Sequence, residues 1–129
     1  MSEALIAAIA GEQAAAYAYG LAAPYLSGSD NDLVRGGLVA HQQRVTALRE
    51  QLASTPQPPA PLGFEAPPVN DESQARQLLA QVELRLCATY ADLAAQSTGI
   101  ARRAAVLTGR ECAVRSISWG GAPEAFPGR

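Results

Sequence analysis

The stretch that decides the fold reads STPQPPAPLGFEAPPVN, residues 54–70, and it contains six of the nine prolines in the chain. Proline fixes φ and lacks a backbone N–H, so this segment cannot be helical. It is also longer than an ordinary helix–helix turn. In polyproline geometry it would extend about 50 Å, whereas a helix of about 24 residues is only ~36 Å long. We therefore expect the segment to cross a helical bundle from end to end, with Leu62 and Phe64 packed on the helices.

Two helices are predicted on each side of this crossover, at about residues 3–26 and 30–53 before it and 71–96 and 99–119 after it. In each of them apolar or small side chains recur at the three- and four-residue spacing of a helix face. These inward-facing stripes are Leu5, Ile9, Ala16, Tyr19 and Ala23; Val34, Leu38, Val45, Leu48 and Leu52; Leu79, Val82, Leu86, Tyr90 and Leu93; and Ile100, Ala104, Leu107, Val114 and Ser118. The sequence thus predicts an all-α, four-helix bundle, built as one domain over residues 1–129.

Composition supports this fold class and narrows the function. A chain of 129 residues is one domain with room for a real core, and its many alanines favour helices. The net charge of -2 gives no electrostatic reason to expect nucleic acid or an anionic membrane. No stretch approaches the roughly 20 apolar residues of a membrane span, and no targeting segment is evident. We therefore expect a cytoplasmic protein in which Cys87 and Cys112 are small buried residues.

Four ionisable residues stand in or beside these apolar stripes, each on a different predicted helix: Glu12, His41, Glu83 and Glu111. Each lies near the midpoint of its helix, with Glu111 displaced by about 3 Å along the axis. Midpoints stay level whichever way helices run, so the four side chains can meet in one central layer. Glu83 lies beside its stripe, and a layer from which Glu83 or Glu111 turns to solvent is the alternative. Carboxylates and imidazoles that converge inside a bundle are how such a bundle makes a metal site.

The spacing of these residues resembles the ferritin-like superfamily. Its di-iron proteins use one glutamate from each of two helices and a Glu-x-x-His pair from each of the other two. Leu38 occupies the position of the expected glutamate on the second helix, and Val114 that of the expected histidine on the fourth. Four of the six expected ligands are therefore present, namely Glu12, His41, Glu83 and Glu111.

A narrower resemblance covers nearly the whole chain. The residues that carry it are Glu12 followed by Tyr17-Ala18-Tyr19-Gly20, His41 with Arg44, the Pro-rich crossover, Glu83 and Tyr90, and the stretch from Trp119 to Phe126-Pro127-Gly128. With these features the chain is similar to a small, uncharacterised family of actinobacterial ferritin-like domains. The resemblance implies a ferritin-like four-helix fold of unknown function, and it implies neither iron storage nor iron oxidation.

Three functions are compatible with this pattern. The favoured one is a non-enzymatic structural or interaction module without a cofactor, in which His41 pairs with Glu12 and Glu83. Tyr19, Tyr90 or Arg44 would supply the remaining hydrogen bonds. The second is a metal-binding protein or metal-dependent oxidoreductase that holds one Fe, Mn or Zn ion with the reduced ligand set. The third is a small-ligand binder with Tyr17, Tyr19 and Tyr90 beside a central cavity. No catalytic residue is identified, and no motif for hydrolase or nucleotide chemistry is present.

The first predicted helix indicates a partner. Between Ser2 and Leu26 its only charged residues are Glu3 and Glu12. The face opposite its stripe consists of Ala7, Ala14, Ala18, Leu21 and Tyr25. A helix that is apolar or small all round is usually covered on both sides, so we expect a twofold homodimer along this helix. Coverage by the Pro-rich crossover and an alanine-rich face that simply tolerates solvent are the alternatives.

Overall fold

A computed structural model describes residues 2–52 and 66–123. It contains four α-helices, α1 (Ser2–Ala22), α2 (Ser29–Gln51), α3 (Glu72–Ala95) and α4 (Gly99–Ser118), and a short 3-10 turn (Ala23–Tyr25) that continues α1. No strand occurs in the described ranges. The all-α class and the four helices are confirmed, with bounds within a few residues of those predicted.

Local chemistry explains where the helices begin and end. Pro24 lies in the 3-10 turn that closes α1, and Gly28 precedes α2 with a positive φ of 60° that glycine adopts without strain. Asp71 caps α3, because its Oδ1 accepts a hydrogen bond from the backbone N–H of Gln74 at 2.8 Å. These residues define the helix boundaries through local backbone geometry and capping, independently of how the helices pack.

Two polar contacts establish how the second half of the bundle is oriented. Near the starts of α2 and α3, Asp30 Oδ2 and an Arg76 guanidinium nitrogen lie 2.5 Å apart, so these helices begin at the same end and run parallel. At the opposite end, Arg102 in the first turn of α4 donates from Nε to the carbonyl oxygen of Ala94 near the end of α3, at 3.0 Å. Helices α3 and α4 are therefore antiparallel.

Among the four described helices, neighbouring pairs pack together on three sides of the bundle, and the fourth side is open. Helix α1 packs against both α2 and α3, and α3 packs against α4. No Cα atom of α2 lies within 8 Å of a Cα atom of α4. The backbones of these two helices therefore border a groove.

The inward stripes predicted for α1, α2 and α3 are buried or half-buried as expected. The stripe predicted for α4 is wrong. Ile100 is 90% exposed and Val114 64% exposed, and Leu107 is also exposed. The buried face of this part of the chain is instead Ala105, Cys112, Ser116 and Trp119. Because α4 packs on a single neighbour, a narrow row of mostly small residues is enough, and larger apolar side chains remain outside.

Some predictions fall outside the described residues. These are the packing of Leu62 and Phe64, the path of residues 54–65 and the Phe126-Pro127-Gly128 tail. Val69, beyond the gap, is half-buried against the core. Cys87 and Cys112 are buried, as predicted, and neither is in a disulfide. None of the four described helices is both long and apolar enough to cross a membrane.

Candidate functional site

The centre of the bundle holds a buried chain of ionisable groups. Glu12 of α1, His41 of α2 and Glu83 of α3 are each 0% exposed. His41 Nδ1 lies 2.5 Å from Glu12 Oε1, and His41 Nε2 lies 2.9 Å from Glu83 Oε2. An ionised carboxylate only accepts hydrogen bonds, so the ring donates from both nitrogens. His41 therefore bridges two carboxylates as a charged imidazolium.

The charge on His41 follows from two opposing effects. Burial by itself lowers the pKa of the imidazole, because it disfavours the charged form. The hydrogen bonds and negative charges of Glu12 and Glu83 outweigh burial and raise the pKa of His41 above its usual value. The protonated ring is thus the form that this environment favours.

Two tyrosine hydroxyls provide further hydrogen bonds to the two buried carboxylates. The Tyr90 hydroxyl donates to Glu12 Oε2 at 2.5 Å, and the Tyr19 hydroxyl donates to Glu83 Oε2. Trp119 Nε1–H in turn donates to the Tyr19 oxygen at 3.0 Å. Burial, followed by the nearby carboxylate, raises the pKa of both Tyr19 and Tyr90 far above the usual range. Both phenols therefore stay neutral and act as donors.

Arg44 joins this layer to the surface. Its guanidinium lies 3.8 Å from Glu12 Oε2 and also forms an ion pair with Glu111. The Glu111 side chain is 61% exposed, so it does not enter the buried layer with the other three predicted residues. Inside the bundle, Glu12 and Glu83 share the His41 cation, and Arg44 adds a second cation beside Glu12.

One buried oxygen is left over. Glu83 Oε2 accepts from both His41 and Tyr19, whereas Glu83 Oε1 has no hydrogen-bond partner among the described residues. Buried oxygens are normally satisfied. This atom is the one exception among the carboxylate oxygens of Glu12 and Glu83.

The donor set does not fit a bridged two-metal centre. Val114, at the position of an expected histidine ligand, is 64% exposed, and Glu111 on the same helix also faces outward. Helix α4 therefore directs neither of its two ligand positions into the layer. Across residues 2–52 and 66–123, no group of three or more His, Cys, Asp or Glu side chains is arranged to hold a metal ion. Glu12, His41 and Glu83 are hydrogen-bonded to one another instead.

Comparison with known proteins gives a family whose description leaves the function unknown. Residues 4–129 match the family described as "Domain of unknown function (DUF4439)". The chain belongs to this family. The DUF4439 domain is similar to a crystal structure of a conserved hypothetical protein from Mycobacterium tuberculosis, with a TM-score of 0.86 and 25% sequence identity over 92% of each chain. No curated protein matches the domain.

Sequence reasoning found most of this DUF4439 network and missed two of its supports. Tyr19, Tyr90 and Arg44 were predicted as partners of the central residues, and all three contact them. The position of Trp119 at the end of the fourth helix does not predict that its indole N–H donates to Tyr19. The role of Gly37 lies in the close approach of the Tyr19 ring to α2. No periodic signal in the sequence marks such an approach.

The raised pKa of His41 predicts how stability depends on pH. The folded domain binds this proton more tightly than the unfolded chain, whose histidine has its usual pKa near 6.5. The stabilisation is therefore complete below about pH 6.5 and is lost as the pH rises through the higher folded-state pKa. We expect the free energy of unfolding to fall over that range. Urea unfolding at a series of pH values measures this slope, and His41→Gln should flatten it.

Proposed function

We propose that this DUF4439 domain is a non-enzymatic ferritin-like module with a structural or interaction role, whose central layer holds the helices in register. The observation that carries this proposal is the pairing of both His41 ring nitrogens with carboxylates, at 2.5 and 2.9 Å. Three helices contribute one member each, so the contact sets the relative positions of α1, α2 and α3. A buried, fully paired polar group specifies one packing arrangement in this way.

The same pairing argues against a metal at this position. A histidine binds a metal through a nitrogen lone pair, and an imidazolium that donates from both nitrogens has none to offer. An ion would have to displace one His41 proton and the hydrogen bond that this nitrogen makes to Glu12 or Glu83. Both ring nitrogens of His41 are thus already satisfied by groups of this chain.

The ferritin-like part of the proposal rests on helix direction. Helices α2 and α3 run parallel, as the Asp30–Arg76 pair indicates, so the connection between them has to return along the bundle. A 23-residue helix is about 34 Å long, and residues 54–70 are long enough to make that return. We accordingly infer a single domain over residues 1–129 with a Pro-rich crossover between the second and third helices.

A second candidate function has one observation in its favour. Glu83 Oε1 is buried with no hydrogen-bond partner in residues 2–52 and 66–123, and it belongs to the residue whose other oxygen accepts from His41. A metal-binding protein that held a single Fe, Mn or Zn ion would use this oxygen together with Glu12 and a deprotonated His41. Elemental content separates this candidate from the first.

We also retain the homodimer along α1 as part of the proposal, together with a cytoplasmic location and no nucleic-acid partner. Tyr17 and Tyr25 on this side of α1 are 43% and 41% exposed, and Ala7 is exposed as well. Ala18, on the predicted outer face, is instead buried within the bundle. The apolar surface available for a dimer is therefore narrower than the sequence pattern indicates.

Metal content tests the proposed function. Protein purified without chelator is expected to contain no stoichiometric Fe, Mn or Zn by elemental analysis. Its melting temperature should be the same in EDTA as with each ion added, because an ion that does not bind the folded state cannot stabilise it. A stoichiometric metal that disappears in His41→Gln would replace the first candidate by the second. Light scattering of the same sample reports the dimer, which a monomeric mass at micromolar concentration excludes.

A further inference from the structure

The open side of the bundle forms a groove between α2 and α4, with α3 as its floor. It encloses about 610 Å³, which is within the size range of small-molecule sites. Along α2 it extends from Arg44 to Gln51, and along α4 from Thr108 to Ile100. Seven residues of helix rise make this about 10 Å. The groove is therefore elongated along the helix axes and reaches the end of the bundle near Ile100.

The lining of the groove is apolar along most of its length and charged at one end. Its walls are aliphatic over most of their length, from Leu48 and Leu93 to Ala101 and Ala104. Among the described residues that line it, Arg44 is the only charged one. Arg44 lies at the inner end, at the level of Tyr90 and the central layer, and its side chain is 16% exposed. The groove thus combines an apolar channel with a single cation at its closed end.

We propose that this groove binds a free medium-chain aliphatic carboxylate, with the carboxylate on Arg44 and the chain directed along α4 toward Ile100. An arginine guanidinium matches a carboxylate with two parallel N–H donors, and an aliphatic chain fits walls of leucine and alanine. This proposal goes beyond the structural role of the central layer and does not depend on it.

Arg44 already contacts one exposed carboxylate, that of Glu111, which the ligand would displace. Arg44 forms an ion pair with Glu111, whose side chain is 61% exposed and is not among the residues that line the groove. A ligand carboxylate would take the place of Glu111, which can turn into water at little cost because surface ion pairs are weak. Glu111 therefore competes with the ligand, and its removal should strengthen binding.

Calorimetric titration with octanoate, nonanoate and decanoate tests the proposal directly. Each added methylene that enters the channel should tighten binding about fourfold, until the chain reaches the bundle end. Decanol and decylamine have the same chain without the carboxylate and should bind at least ~10-fold more weakly. Equal affinity for all three head groups would overturn the assignment to Arg44, and an absence of saturable binding by decanoate would overturn the proposal.

Variants locate the site. Ala104→Trp fills the channel and should weaken decanoate binding by roughly tenfold or more, whereas Ala95→Trp at the exposed end of α3, which does not line the groove, is the matched control and should leave it unchanged. Glu111→Gln should tighten binding. Because Arg44→Gln also removes a contact to Glu12, its folding is checked by circular dichroism, and Glu111→Gln tests the head-group position without that complication.

Other occupants of the groove are distinguished in the same experiment. Binding to phosphatidylglycerol vesicles without binding to decanoate would assign the groove to a membrane surface and overturn the proposal. A change from dimer to monomer in Ala104→Trp by light scattering would assign it to a second copy and overturn it equally. A melting temperature that rises with decanoate in the wild type but not in Ala104→Trp supports the proposal.

Discussion

Replacement of His41 by alanine is expected to lower the free energy of unfolding by about 3–5 kcal/mol. The loss is large because two carboxylates depend on one ring: Glu12 and Glu83 are both 0% exposed and both bond to it. Without the imidazolium, both buried carboxylates lose the cation that they share, and of the two only Glu12 has another cation beside it among the described residues, the more distant Arg44. Equilibrium unfolding in urea, followed by both circular dichroism and Trp119 fluorescence, measures the change and tests two-state behaviour.

Glu111→Gln is the control for this experiment. It also removes a carboxylate from an ion pair, but that carboxylate is 61% exposed, so the expected change is below about 1 kcal/mol. A His41→Ala variant that unfolds at the same urea concentration as the wild type would show that the central layer does not hold the helices together. The proposed structural role would then be wrong, whether or not the groove binds its ligand.

Gly37→Ala is the second substitution with a large expected effect. A Cβ atom at this position would lie 2.3 Å from Tyr19 Cε2 and 2.9 Å from Tyr19 Cζ. The ring cannot move away freely, because its hydroxyl is held between Glu83 and Trp119. We therefore expect a destabilisation of about 1–3 kcal/mol from overpacking, although alanine is the better helix former. Chemical denaturation of the purified variant gives the value.

Gly36→Ala, at the neighbouring position, is a matched control for which we expect the opposite change in the free energy of unfolding. A Cβ atom on Gly36 would meet no atom of the described part of the chain within 4 Å, so Gly36→Ala should stabilise the domain by up to about 1 kcal/mol through helix propensity alone. The two substitutions are chemically identical and one residue apart. If both stabilise the protein, the Tyr19 ring does not lie against α2 as described.

Much of the architecture was predictable because it rests on local signals. Helical periodicity around Val34, Leu48 and Leu79 places these residues inside, and all three are buried. Breaks such as Pro24 and Gly28 act through backbone geometry, which depends on the residue itself. The inward stripe predicted for α4 is wrong because it also rests on a local signal. Ile100 and Val114 have helical spacing, but spacing does not say how many helices α4 packs against.

The candidate site was also predictable only where it rests on local features of the chain. The sequence identified Glu12, His41 and Glu83 as polar residues at one level of three helices, because a midpoint position is a property of the chain alone. The sequence also put Glu111 at this level, but its side chain is exposed. The direction in which α4 faces depends on packing against α3, which the sequence does not specify locally. The contact of Trp119 with Tyr19, across 100 residues, has no local signal at all.

The amino-acid sequence by itself determined four helices, their ends and three of the central polar residues, because turn chemistry and hydrophobic periodicity are short-range properties. Only the tertiary structure decided that both His41 nitrogens bond to carboxylates, that Glu111 faces solvent and that α2 and α4 border a groove. Hydrogen-bond partners and open surfaces depend on distances between helices. Those distances are set by the side-chain volumes of the whole core, such as the close approach of Tyr19 to Gly37, and not by any single segment.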